Sequence, residues 1–282
     1  KNAVKLLDRK TKPDRKENFE ETVNLSYKNF EEKDKNNSDL SEKEAYYLNM
    51  KIDFLGHSGF FVETESALLL FDYYYGDLSF LAEKPKEKPL FVFASHAHED
   101  HFNPEIFALA DIYPKTKYLL SFDIKGNSAV AEDRDIQYLD ADMTYEIEGL
   151  GTVTTLFSND EGIAFLLKTA CETLFHAGDL NCWDWPGEDP EWLQWQETVF
   201  KREIQKLADT PIDVAFAVLD SRLEENYWKG MALILSTLRP RYVLPMHFCE
   251  DKSVVDRFKE LPVSRESGTI LLDTAKETHW EI

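Results

Sequence analysis

From residue 51 onward, apolar runs of about four to eight residues alternate with turn-forming residues. Runs at 51–56, 59–64, 67–72, 89–95, 117–122, 152–157, 162–168, 172–177, 213–220, 241–246 and 269–273 predict strands. Several are rich in β-branched and aromatic residues, which suit a pleated, half-buried surface. Helical spacing predicts helices near 104–111, 190–208, 226–237 and 251–260, with Pro104 and Pro190 at first-turn positions. Strands dominate the first half, and helices enter between strands later. That order predicts an α/β architecture with two sheets inside and helices outside. Trp192, Trp195 and Val199 recur at three- and four-residue spacing, so they are expected on the core face of the 190–208 helix.

The first 50 residues read differently. They contain no glycine, and their 11 basic and 11 acidic residues cancel. Phe19, Val23, Tyr27 and Phe30 suit one amphipathic helix, and Ser41 with Glu44 fits a capping box. Residues 1–49 are therefore expected to be an N-terminal extension, helical or partly disordered, ahead of a single domain over 50–282.

The full 282-residue chain carries a net charge of −21, all of it beyond residue 50. A surface that negative repels nucleic-acid and anionic-membrane partners. No apolar run approaches the roughly 18 residues of a membrane-spanning helix. Cys171, Cys182 and Cys249 are odd in number and show no paired spacing, so a reducing, cytoplasmic setting is expected. No signal peptide is visible, although the chain begins at Lys1, which leaves a trimmed leader open.

The chemistry concentrates in Ser95-His96-Ala97-His98-Glu99-Asp100-His101, which follows the apolar run 89–94. Its ligand types therefore sit at the C-terminal end of a strand, where α/β sites usually form. Imidazole nitrogen and carboxylate oxygen suit zinc, and also manganese or iron. Four candidate ligands in six residues exceed one tetrahedral site with an open position. They predict two metals, His96 and His98 facing one, Asp100 and His101 the other. Three further apolar runs end in Asp72, in His176 followed by Asp179, and in His247.

This set of motifs resembles the metallo-β-lactamase-fold hydrolase superfamily over about residues 50–282, with His-x-His-x-Asp-His at 96–101 its most specific element. The resemblance implies a four-layer αββα sandwich. It also implies metal ligation by His96, His98, Asp100, His101, Asp179 and His247, with Asp179 bridging two metals. Asp72 is implied to orient the ligand loop. The opening "FLGHSGFFVET" is similar to the branch containing L-ascorbate-6-phosphate lactonase, and "HAGDLNCWDW" with "LDSRLEENYW" to an uncharacterised bacterial subgroup of it. One element departs from the pattern. The superfamily usually has another histidine between the ligand run and the Gly-Asp turn, where this chain has Ser158, Asn159 and Asp160. Asp160 ranks first as its replacement, with His57 or His176 as alternatives.

The expected reaction follows from the metals. A water on zinc has its pKa lowered to about 7, so a metal-bound hydroxide can attack a small ester, lactone or phosphodiester. Asp100 is expected to orient that nucleophile. His57, Trp183 and Arg222 are expected at the substrate, with Trp185 beside Trp183, and a guanidinium there would fork onto a carboxylate or phosphate. Cys182 and Cys249 are expected to pack rather than ligate. The expected partner is a small molecule, not a nucleic acid or a membrane; oligomeric state stays open. A non-catalytic metal- or redox-binding protein of the same fold is the alternative, followed by a nuclease.

Overall fold

A computed structural model describes residues 48–282. The helix expected on Phe19 to Phe30 and the capping box at Ser41 and Glu44 lie outside the described residues.

The first sheet is formed by β1 (Lys51–Gly56), β2 (Gly59–Glu63), β3 (Leu68–Phe71), β4 (Leu90–Ala94), β5 (Lys117–Ser121) and β6 (Ile136–Leu139). It is completed by the last strand, β14 (His279–Glu281), and runs in the order β14-β1-β2-β3-β4-β5-β6. The second sheet contains β7 (Thr144–Ile147), β8 (Gly151–Phe157), β9 (Ile163–Lys168), β10 (Thr173–His176), β11 (Val214–Val218), β12 (Tyr242–Met246) and β13 (Ile270–Leu271). Its order is β13-β12-β11-β10-β9-β8-β7.

Each sheet is half antiparallel and half parallel. In the first, β14, β1, β2 and β3 pair antiparallel, and β3 to β6 pair parallel. In the second, β7 to β10 pair antiparallel, and β10 to β13 pair parallel. Strands buried on both faces read as continuous apolar runs, which is why 67–71 and 89–94 carry no polar alternation. Phe60, Phe71 and Phe93 point between the sheets and meet Phe216 and Phe165. Ring centroids there are 4.3 Å apart for Phe60–Phe216 and 5.3 Å for Phe93–Phe165. Their neighbours Phe61, Leu68, Leu70 and Val92 point outward, to a second core with Ile106, Phe107 and Tyr118. Burying each such side chain contributes about 1.5–3 kcal/mol.

Helices cover the outer faces, giving the four-layer αββα sandwich. Residues Pro104–Asp111 cover the first sheet as a 3-10 rather than an α-helix, capped by Asn103 Oδ1 accepting from Glu105 N at 2.9 Å. The second sheet carries α1 (Pro190–Gln205), α2 (Lys229–Thr237), α3 (Ser253–Lys259) and α4 (Pro262–Glu266). Asp189 caps α1 by accepting from Glu191 N and Trp192 N, with Pro190 in the first turn. In α1, Glu203 is fully buried and accepts from Phe157 N of β8 at 3.3 Å. The tryptophans of α1 correct the sequence expectation. Val199 is buried with Leu193, Phe200 and Ile204, but Trp192 and Trp195 are 38% and 46% exposed. The buried stripe belongs to Leu193, Phe200 and Ile204, with the polar Gln196 among them. The Trp pair lies off it because a spacing of three from Trp192 leads away from Leu193's face. Among the described residues, no helix is long and apolar enough to cross a membrane.

Candidate metal centre

The parallel halves of both sheets bring their C-terminal strand ends to one place. β3 ends at Asp72, β4 at the 95–101 loop, β10 at the Gly178-Asp179 turn, β11 at Asp220 and β12 at His247. A backbone bond joins the two sheets here: Ile163 N donates to Ser95 O at 2.9 Å. Two glycines permit that approach. A Cβ on Gly162 would stand 2.0 Å from Ser95 O, and one on Gly178 would stand 2.7 Å from Ser95 Cβ. Both also hold positive φ, +63° and +52°, which a glycine adopts at little cost.

Asp72, fully buried, organises the loop. Its Oδ1 accepts from Ser95 N at 2.8 Å and its Oδ2 from Ser95 Oγ at 2.6 Å. Oδ2 also lies 2.7 Å from His101 Nδ1, so that nitrogen carries the proton and Nε2 presents a lone pair. Asp220 performs the same service for His247, with Oδ2 3.1 Å from Nδ1. Both freed Nε2 atoms face one oxygen: Asp179 Oδ1 lies 3.2 Å from His101 Nε2 and 3.3 Å from His247 Nε2. The other carboxylate oxygen, Oδ2, lies 3.6 Å from His96 Nε2. His96 Nε2 is in turn 3.0 Å from His98 Nδ1. Asp100 Oδ2 lies 3.2 Å from His57 Nε2.

The six residues expected as ligands therefore converge, and Asp179 stands between two groups. Four sets of donor atoms fall within 4.8 Å of one another: His96, His98 and Asp100; His96, His101 and Asp179; His57, Asp100, His101 and His247; and Asp220, His247 and Cys249. Among the described residues, His101 Nε2, Asp179 Oδ1 and His57 Nε2 are buried without a hydrogen-bond partner. Buried polar atoms are rarely left unpaired. A lone pair on imidazole facing a carboxylate oxygen at 3.2 Å is the arrangement a shared cation satisfies. The six expected ligands offer only nitrogen and oxygen, which suits a divalent metal.

Without a bound cation, the same carboxylates favour a second proton on His101 and His247. Burial opposes a positive charge on His247, but Asp179 and Asp220 raise its pKa to about 9. Burial opposes charge on His101 too, and Asp179 with Asp72 outweighs it, raising its pKa well above the usual value. His96 moves the other way: burial, reinforced by His101, lowers it to about 4. Burial disfavours ionised Asp179, but His247 and His101 hold its carboxyl well below the usual range. His57, its Nε2 3.2 Å from Oδ2, holds Asp100 far below that range despite partial burial.

His176 drops out as the missing ligand. Its Nδ1 accepts from Gly178 N at 3.1 Å, its Nε2 lies 3.0 Å from Ser58 O, and its ring stacks on Phe71 at 5.2 Å. Both nitrogens are already engaged inside the core. Asn159 is likewise structural, donating to Asn181 O at 2.7 Å. Asp160 is exposed and lines an open cavity of about 230 Å³ above the cluster. Partial burial of its carboxyl and the Asp179 charge raise its pKa.

Trp183, Trp185 and Arg222 line the same cavity with His98 and His247. Trp183 is buried, donates Nε1–H to Asp179 O at 2.8 Å and stacks on Trp185 with 4° between the rings. The Arg222 guanidinium lies 5.4 Å above Trp185 and forks onto Asp220, Nη2 to Oδ2 at 2.5 Å. His57 is not among the cavity-lining residues; it sits deeper, its ring 4.3 Å from that of His247. Cys182 is buried, as expected, but Cys249 is exposed, so it does not pack. Its thiol instead stands within 4.8 Å of donor atoms of Asp220 and His247, because the chain turns there with φ +51°. Sequence reasoning missed Asp220. Its one signal was an apolar run ending in aspartate, as at Asp72.

Comparison with known proteins points the same way. Residues 51–184 match the Beta-lactamase superfamily domain. A UPF0173 metal-dependent hydrolase of Opitutus terrae is 27% identical over 238 residues, 78% of this chain and 94% of that protein. One from Pyrococcus abyssi is 25% identical over 215 residues, covering 71% and 84%. Among solved structures, the metallo hydrolase Igni18 of Ignicoccus hospitalis superposes with a TM-score of 0.58 at 17% identity, over 83% of this chain and 99% of its own. The diiron β-hydroxylase CmlA of Streptomyces venezuelae gives 0.55 at 14% identity, over 83% and 54%. The ordered run of motifs, the paired mixed sheets and the converging donors agree with these likenesses: residues 51–184 match a Beta-lactamase superfamily domain, and the chain is similar to metal-dependent hydrolases and shares the metallo-β-lactamase fold.

Proposed function

We propose that the protein is a metal-dependent hydrolase that holds two divalent metals and cleaves a small, anionic ester, lactone or phosphodiester. The observation that carries this reading is Asp179, whose two carboxylate oxygens face different histidines, His101 and His247 on one side and His96 on the other. His96 and His98 would hold one metal, and Asp100, His101 and His247 the other, with Asp179 shared. Zinc is the first expectation, with manganese and iron admitted by the same donors. When bound, such metals supply Lewis acidity and a water acidified towards neutral pH.

The chain's own groups do the rest. Asp100, kept ionised, is placed to orient the attacking water by accepting its hydrogen bond. Trp183 and Trp185 wall the cavity. The Arg222 guanidinium, held in place by Asp220, meets a carboxylate or phosphate of the substrate at the cavity mouth. A volume of about 230 Å³ admits a small molecule rather than a polymer. The net charge of −21 argues against nucleic-acid and anionic-membrane partners.

The test is metal analysis of the purified protein, followed by an ester, lactone and phosphodiester panel before and after chelation. Two equivalents of metal, and an activity that chelation abolishes and metal restores, are expected. Full loading with inertness across the panel would instead favour a non-catalytic metal- or redox-binding protein. The all-nitrogen-and-oxygen donor set, shared in fold with a protein described as a diiron hydroxylase, keeps that second reading in play.

A further inference from the structure

We infer that His57 is itself a ligand of the second metal, completing with Asp100, His101 and His247 a set drawn from two strand ends and one hairpin. This rests on the metal-binding reading above.

Four observations lead there. First, the donor atoms of His57, Asp100, His101 and His247 all lie within 4.8 Å of one another, and theirs is the largest such set among the described residues. Second, His57 Nε2 approaches Asp100 Oδ2 at 3.2 Å yet is left without a hydrogen bond, buried and aimed into the cluster. Close approach without a hydrogen bond is how two atoms sharing a cation stand. Third, the backbone is bent to achieve it. His57 has φ +51° and His247 φ +62°, a region that residues other than glycine seldom enter. Such strain persists where the surroundings over-determine it, typically at functional sites. Fourth, the two are tied together: His247 N donates to His57 O at 3.0 Å.

The position also fits the chain's departure from the superfamily's pattern. The first set lacks a third histidine, since Asn159 and His176 are engaged elsewhere. The second set gains one from the β1–β2 hairpin. Metal affinity is therefore redistributed, with the tight site at His57, Asp100, His101 and His247 and the weaker one at His96 and His98.

The experiment is cobalt(II) titration of the metal-stripped full chain, read by visible absorption and by competition with a chelating dye. It compares wild type with His57→Asn, which tolerates positive φ, and His57→Gln, which keeps an N–H at the reach of Nε2. Melting of the metal-free proteins confirms that both variants fold. Removing a group that merely orients a ligand costs about 10–100-fold in affinity. The expected result is a loss of the tight equivalent beyond that range in both variants, with an altered cobalt spectrum. An unchanged spectrum with a loss of affinity no greater than about 100-fold, in either variant, would overturn the inference and leave His57 as a group that orients Asp100. Wild type that takes up no cobalt would overturn both this inference and the metal-binding reading, and is thereby distinguished.

Discussion

Asp220 Oδ2 sits 3.1 Å from His247 Nδ1, turning that ring's other nitrogen toward Asp179. The carboxylate is fully buried, and Arg222 grips it from the solvent side. Replacing it by an amide keeps the shape but removes the charge that fixes the tautomer. Asp220→Asn is expected to weaken metal binding by about 10–100-fold. Chelator competition checks this, and Asp72→Asn, the matching change behind His101, is the natural parallel.

Metal-free protein is expected to be most stable near pH 6.5. His96 has its pKa lowered to about 4, so between pH 4 and 6.5 the unfolded chain binds more protons and stability rises with pH. His247 has its pKa raised to about 9, so its contribution is complete below pH 6.5 and fades as pH climbs to 9. Added metal reverses the second limb, because it displaces the proton from His247. Melting curves from pH 4 to 9, with and without zinc, read both effects. The zinc-induced rise in Tm is expected to grow between pH 6.5 and 9.

Gly162→Ala is expected to lower stability by about 3 kcal/mol or more, combining left-handed strain with overpacking. The added Cβ would stand 2.0 Å from Ser95 O, in backbone that cannot swing aside. Because that carbonyl precedes His96, metal affinity is expected to fall with stability. Denaturant unfolding and metal titration of the same variant check the two together.

Trp192→Ala and Trp195→Ala are each expected to cost about 1 kcal/mol or less, against the roughly 3–5 kcal/mol of a buried tryptophan. Chemical denaturation separates these outcomes cleanly. Core behaviour at either position would contradict their exposure on α1.

The tryptophans mark one limit of what the chain discloses by itself. Three- and four-residue spacing identifies a helix face without saying which face is buried, and Leu193, one residue along, starts the stripe that is. The strands at 67–71 and 89–94 were legible because burial on both faces leaves an unbroken apolar run. Strands β6, β7 and β14 were not, since their half-exposed residues carry no such run, and β14 gains its place only by pairing with β1 from the far end of the chain. The ligand run at 96–101 was legible because its residues are contiguous. Asp220 was not, because a lone aspartate after a strand looks like any turn residue until His247 is folded against it. His57 stood in a recognisable motif, but its neighbours Asp100 and His247 lie 43 and 190 positions away in the chain.

The mirrored layout of the sheets has a thermodynamic consequence. Strands β3 and β4 deliver Asp72 and the 95–101 loop, whereas β10, β11 and β12 deliver Asp179, Asp220 and His247. Neither sheet alone owns a complete set of donors. A cation held between them therefore acts as a tie across the seam, and its binding free energy adds directly to the work of prising the two halves apart. Metal occupancy and the cohesion of the sandwich become one quantity, so a cell that starves this protein of metal would lose the fold's strength together with its chemistry.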